Sequence, residues 1–223
     1  MQVATYQDPG TWNYGLSSYD QPHVAVINYT WDLPKGSRMW NNAVGRALLD
    51  NWQISGLTTF ASGNPVYVVF TTTDGADITG GGDTTRFNGG PGATTPTAGA
   101  GVPLLVGDPN LPADQRGLLA WFNTAAFARP PRGDPGNSPK DVVRGPGIDN
   151  FDVTLFKNIP FGKGTRRLQL RWEIYNVFNH TQFATVDSTA RFDPQGNQVN
   201  ARFGQVISTR APRVMQVAVR VLF

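Results

Sequence analysis

Arg213-Val-Met-Gln-Val-Ala-Val-Arg-Val-Leu-Phe223 closes the sequence, and its alternation decides the fold. Counting back from the end, Phe223, Val221, Val219, Val217 and Met215 are all apolar, whereas Leu222, Arg220, Ala218, Gln216 and Val214 are mixed. A period of two with one apolar face is a β-strand lying between two different solvents. A soluble sandwich would turn that face into a protein core. A barrel that crosses an outer membrane would turn it into lipid and the mixed face into the lumen. The aromatic last residue fits the second case. Ends of soluble domains are usually frayed and polar, but a barrel strand pairs along its whole length and seats an aromatic at the interface.

The same alternation recurs four times upstream. Near 23–33, Ala25, Ile27, Tyr29, Trp31 and Leu33 oppose Val24, Val26, Asn28, Thr30 and Asp32. Near 51–62, Trp52, Ile54, Gly56, Thr58 and Phe60 oppose Gln53, Ser55, Leu57, Thr59 and Ala61, and Val66 to Thr72 is expected to continue this strand beyond a bulge. Near 148–158, Phe151, Val153 and Leu155 point outward and Asp152, Thr154 and Phe156 inward. Near 166–178, Leu168, Leu170, Trp172 and Ile174 oppose Gln169, Arg171, Glu173 and Tyr175. With the fifth strand at 213–223, each is about ten residues, enough to cross a bilayer when tilted.

The connections differ in length. Residues 1–22 are polar and turn-rich. Met39, Trp40, Val44, Leu48 and Leu49 give residues 39–50 a rough helical spacing. Stretches 73–147 and 179–212 read as long loops rich in Gly, Pro, Thr and Asp, with a short helix expected over 112–122. A structureless loop of that length counts against a compact soluble domain and is ordinary outside a large barrel. Asp32-Leu-Pro-Lys-Gly-Ser-Arg38 resembles the turn from Asn158 to Arg166. Both are placed at the periplasmic end, where Trp31, Trp52 and Phe223 would form an aromatic girdle. The expected fold is therefore all-β: an antiparallel up-and-down meander of about five long strands, a partial, unclosed transmembrane β-barrel with long extracellular loops. About eight strands are needed to close a barrel, so either the sheet stays open and curved or these are the closing strands of a larger cylinder.

Composition agrees. Gly 25 and Pro 17 are high, aromatics reach 11% and charged residues only 16%, which suits strands and turns better than helices. The absence of cysteine excludes disulfides, zinc–thiolate sites and cysteine nucleophiles. A net charge of +3 with no run of five like charges gives no nucleic-acid footprint. No apolar run approaches a membrane helix, and Met1-Gln-Val-Ala-Thr-Tyr6 has neither the basic nor the apolar region of a signal peptide. Read literally, that start makes a soluble protein without a signal; the expectation taken here is that the chain is a segment of a longer one.

Catalytic and cofactor chemistry is sparse. His23 and His180 are the only histidines and are read as rim or loop residues. Gly162-Lys-Gly-Thr165 lacks the spacing of a phosphate loop. Asp74, Asp77 and Gly80-Gly-Gly-Asp83 resemble one copy of a repeat calcium motif without the array, so a flexible loop is the expectation, with an incidental cation site as the lesser alternative. Asn28 and Asn179 begin Asn-x-Thr triplets that matter only in a eukaryotic secretory route. Asp152 is expected to meet Arg171 or Glu173 across the third and fourth strands, as a structural ion pair or as a lumenal contact to a plug or solute. No nucleophile, base and orienter set is visible, so no enzyme and no cofactor is expected.

Several separated motifs carry a family resemblance. Gly145-Pro-Gly-Ile-Asp-Asn-Phe-Asp-Val-Thr-Leu-Phe-Lys-Asn158, Trp121-Phe-Asn-Thr-Ala-Ala-Phe127, Glu173-Ile-Tyr-Asn-Val-Phe-Asn-His-Thr-Gln-Phe183 and the terminal Val219-Arg-Val-Leu-Phe223 resemble the late strands of TonB-dependent outer-membrane receptors, closest to the Oar-like receptors of soil acidobacteria. The resemblance implies a 22-stranded plugged barrel in a Gram-negative outer membrane and energy-coupled uptake of a bulky solute. It implies as partners the rest of the barrel and its plug, the TonB system acting through an N-terminal part, and the barrel-assembly machinery reading the Phe223 strand. Two rivals remain: a soluble secreted β-domain that binds glycans through its loops, and a surface adhesin. The sandwich rival requires a second sheet over Ile27, Tyr29, Ile54, Leu155, Leu170, Trp172 and Val219; the barrel leaves that face bare.

Overall fold

The computed structural model describes residues 15–40, 42–75, 78, 103–132, 134, 136–139, 141–162 and 165–223. It resolves into two compact units: His23–Ser62, Ile148–Gln182 and Arg210–Phe223 form one; Met1–Pro22, Gly63–Gly147 and Phe183–Thr209 form the other.

The first unit is one antiparallel sheet of five long strands. They are β1 (Val24–Asp32), β2 (Trp52–Ala61), β3 (Ile148–Pro160), β4 (Arg167–Tyr175) and β5 (Val214–Leu222), paired in chain order. This is the expected up-and-down meander, with every strand within a few residues of its expected span. The differences have local causes. Asn51 sits at φ 59°, so β2 starts only at Trp52. Asn176 and Asn179 sit at φ 52° and 50°, and this left-handed backbone ends β4 at Tyr175 rather than Phe178.

Register fixes the faces, because directly paired residues share one. Trp31, Ile54, Leu155, Trp172 and Val217 line up across all five strands. So do Trp52, Lys157, Leu170 and Val219 across four. The five apolar sets read separately from sequence thus fall on a single face. At Tyr29↔Gly56 the tyrosine ring covers the glycine, occupying the space a Cβ would take.

Between β1 and β2 the chain folds a short connector: a 3-10 turn over Gly36–Arg38, then helix α1 (Ala43–Leu49). The Asn42 side chain caps α1 by accepting from the Gly45 N–H at 2.7 Å. Gly45 is required there, since a Cβ would collide with the Trp40 carbonyl. The connector closes on itself where Asp50 accepts from the Ser37 N–H at 2.9 Å and its hydroxyl at 2.8 Å. This bears out the helical spacing read over 39–50.

The second unit corrects the loop expectation. Much of 63–147 and 183–209 is not structureless: it packs its own core from Val68, Phe70, Ile78, Phe122, Ala126, Phe127, Val143, Val186, Ala190, Phe192, Phe203 and Val206. Phe122, Phe127 and Phe203 meet edge to face with centroids 5.2–5.9 Å apart. Four two-stranded pairs hold the backbone: Pro65–Val66 with Val143–Arg144, Leu104–Leu105 with Phe127–Ala128, Phe183–Val186 with Val206–Thr209, and Val69–Thr72 with Thr189–Phe192. The last pair is parallel. Val66 to Thr72 therefore does not prolong β2. The chain leaves the β2 line at Gly63, which passes so close to the Gly145 carbonyl that no side chain fits. The helix expected over 112–122 shrinks to a 3-10 turn at Ala113–Gln115. Beyond it, Gly117 N–H bonds the Ala120 carbonyl and Trp121 N–H the Gly204 carbonyl, both at 2.8 Å, which holds this stretch out of a helix.

Candidate functional site

The site in question is the sheet itself, with two chemically opposite faces. On the apolar face, Ile27, Tyr29, Trp31, Phe60, Trp172, Met215, Val217, Val219 and Val221 are exposed, Val217 by 74%. Among the described residues these side chains are left exposed, whereas the sandwich reading requires them covered. The expected interface residues share the face: Trp31, Trp52, Trp172, Met215, Val217, Val219 and Val221 by register. Leu222 pairs with Arg167 at the end where β3 turns into β4, and Trp31 and Trp52 lie at that same end. Phe223 follows Leu222 there, 90% exposed. Trp172, opposite Leu155 and Val217, lies mid-strand in β4, in the same register row as Trp31 near the end of β1.

Only two side chains that carry a charge at neutral pH stand on the apolar face within the paired strands, and they stand at its two ends. Lys157, 4% exposed, donates to the Asp50 carbonyl and lies 5.2 Å from the Trp52 ring centroid. Asp149 meets His180 Nε2 at 3.0 Å. Beside Asp149, Phe60, Phe151 and Phe178 form an edge-to-face trio with centroids 5.5 and 5.1 Å apart. Sequence reading missed these partners because each joins residues distant along the chain.

The opposite face carries a polar network around Glu173. Arg171 pairs with Glu173 along β4, Gln216 donates to it from β5, and the Tyr175 hydroxyl donates to it at 3.0 Å. The Arg171 guanidinium lies 5.1 Å from the Phe156 ring. Asp152 takes no part in this cluster, contrary to the expected cross-strand ion pair. Register sets Thr154, not Asp152, opposite Glu173, and Phe156 opposite Arg171. Asp152 instead accepts from Asn150 Nδ2 at 2.8 Å and Asn176 N–H at 2.9 Å. Asn150, Asp152, Tyr175, Asn176, Gln182 and Arg210 line an open recess of about 540 Å3. At the other end, Asp32, Lys35, Gln53, Asn158 and Arg167 line a second of about 430 Å3. A face of this kind suits polar contacts: hydroxyl-bearing solutes, or the polar surface of another protein segment.

Outside the sheet, the Ser37 N–H holds the Asp50 carboxyl below its ordinary range. Asp193 is held low too, first by the Asn197 side chain. Among the described residues, no three His, Cys, Asp or Glu gather closely enough to hold a metal ion. Asp77, Gly80–Asp83, Lys163 and Gly164, singled out in the sequence, lie outside the described residues.

No helix among the described residues is long and apolar enough to cross a membrane, which leaves crossing by strands untouched. Residues 2–216 match the family described as outer membrane beta barrel domain. No curated protein and no solved structure matches significantly.

Proposed function

The chain belongs to the outer membrane beta barrel domain family, and from that premise we propose that it serves as the barrel segment of a TonB-dependent receptor for energy-coupled uptake of a bulky solute. An outer-membrane barrel has lipid as its first partner. The observation that carries the reading is the bare apolar face, aligned by register over five strands and backed by a polar one. Lipid accepts the first face and a filled lumen the second. The receptor type rests on the resemblance of Gly145–Asn158, Trp121–Phe127, Glu173–Phe183 and the closing strand.

On this reading the remaining barrel strands pair with β1 and β5 and a plug meets the face bearing Asp152, Arg171 and Glu173. TonB engages an N-terminal part, and the assembly machinery reads the strand ending in Phe223. The segment does no chemistry; transport requires the whole receptor.

The test is expression of the full-length gene in a Gram-negative host, followed by membrane fractionation and gel mobility with and without heating. Recovery in the outer membrane with heat-shifted mobility supports the barrel; recovery in the soluble fraction refutes it. Crosslinking to the periplasmic domain of TonB separates a receptor from a barrel of another kind, and a barrel that never crosslinks refutes the receptor assignment alone.

A further inference from the structure

The connector between β1 and β2 presents apolar residues where a water-exposed turn should be polar. Met39 is 94% exposed, and Trp40, Val44, Leu48 and Leu49 are all exposed as well. Val44 and Leu48 stand four apart on α1, and so share one side of the helix. Turns at the periplasmic end of such barrels are usually short, as the one between Pro160 and Arg167 is. A longer, greasy connector therefore needs an explanation.

Two hydrogen bonds say which face of the sheet the connector joins. Trp52 Nε1 donates to the Leu48 carbonyl at 2.8 Å, and Lys157 Nζ donates to the Asp50 carbonyl. Both donors belong to the apolar, lipid-directed face. The C-terminal end of α1 is thus tied to the outer wall of the sheet, not to its polar face. The Asp50–Ser37 clasp holds the rest of the connector against that end. Its exposed cations Lys35 and Arg38 flank one acid, Asp50, whose carboxylate accepts from Ser37.

We propose that this connector is an interfacial anchor: Met39, Trp40, Val44, Leu48 and Leu49 enter the phospholipid leaflet bordering the Phe223 end of the sheet, and Lys35 and Arg38 meet its anionic headgroups. Continuity with the lipid-directed face and the charge balance select lipid over a protein partner. An apolar helical stripe flanked by cations is the pattern of helices that lie in a membrane interface. The inference rests on the barrel reading and adds a second mode of membrane contact to it.

These 223 residues hold no cysteine, and any cysteine in the rest of the full-length protein is changed to serine so that the spin label is unique. The full-length protein carrying Val44→Cys, or Val217→Cys as a reference on the sheet, is labelled with a nitroxide and refolded into phosphatidylethanolamine vesicles with and without phosphatidylglycerol. Collision with oxygen reports lipid; collision with a water-soluble nickel chelate reports water. The expected result is oxygen exceeding nickel at both positions, with the contrast at 44 larger when phosphatidylglycerol is present. Lipid at 217 with water at 44 overturns the anchor and leaves the barrel standing. Exclusion of both reagents at 44 overturns it in favour of a protein contact. Water at both positions removes the barrel reading itself.

Discussion

Val217→Arg separates a lipid-facing sheet from a soluble one, because the two assign it different magnitudes. Val217 lies near the middle of β5, opposite Trp172, and is 74% exposed. On a soluble protein, a substitution at such an exposed position shifts stability by no more than about 0.5 kcal/mol. On a barrel, an arginine on the lipid face at the bilayer midplane costs about 2–4 kcal/mol. That lowers the folded-to-unfolded ratio roughly 30- to 900-fold. Asn28→Arg is the matched control: mid-strand in β1, exposed, and on the polar face. It should change stability by about 0.5 kcal/mol or less. The assay is guanidinium titration of the full-length protein refolded in phosphatidylcholine vesicles, read by tryptophan fluorescence and heat-shifted gel mobility. A Val217→Arg midpoint equal to that of Asn28→Arg refutes the assignment of faces.

Three further outcomes follow from particular contacts. Phe122→Ala empties the centre of the second unit's aromatic trio and should cost about 3–5 kcal/mol there; limited proteolysis should then cut within 103–147 while heat-shifted mobility persists. Asp50, held below its ordinary 3.8 chiefly by the Ser37 N–H, stabilises the connector above pH 3.8 and loses that contribution as pH falls through its depressed value. A nitroxide at position 44 should gain mobility in that window, and Asp50→Asn should abolish the transition. Burial and then the Asp141 carboxylate push Tyr67 up to about 12 from its ordinary 10.0; its contribution is present below pH 10 and lost as pH rises from 10 through 12. An ultraviolet titration should show one phenol ionising late, and Tyr67→Phe should remove that step.

The sheet was legible because period-two patterning is local: each strand announces its own apolar side before any partner is known. Trp31, Ile54, Leu155, Trp172 and Val217 come from five separate stretches, yet each was already on the apolar side of its own strand. Register was not legible to that depth. A shift of four residues along β3 preserves every face but decides whether Asp152 or Phe156 sits opposite Arg171, and there the expected ion pair failed. The second unit was illegible for a different reason. Its strands are two to four residues long, too short to show a period, and Val69–Thr72 finds its partner at Thr189–Phe192. The usable signal was composition: Trp121, Phe122 and Phe127 are too many large rings for a stretch otherwise read as loop.

The placement of charge gives the sheet a measurable height. Within the paired strands, Asp149 and Lys157 are the only acidic or basic side chains on the apolar face, both on β3, and Phe151, Val153 and Leu155 alternate between them. Eight residues at 3.3 Å make about 26 Å along the strand, and a tilt of about 40° reduces that to about 20 Å along the membrane normal. Side chains reaching outward from each end extend the band toward the ~25 Å apolar belt of an outer-membrane barrel. Both charges are held where the belt ends: Lys157 bends to the Asp50 carbonyl beside Trp52, and Asp149 meets His180 beside the Phe60–Phe151–Phe178 trio. Aromatic rings mark both boundaries, as an amphipathic interface requires. By contrast Arg171 and Glu173 stand mid-strand, at the depth of Trp172, on the other face. That depth is tolerable for them because their face turns away from hydrocarbon and satisfies Glu173 from three side chains. One β-sheet thus keeps charge at the rims of one side and in the middle of the other, a distribution that a uniform aqueous surround gives no reason to maintain.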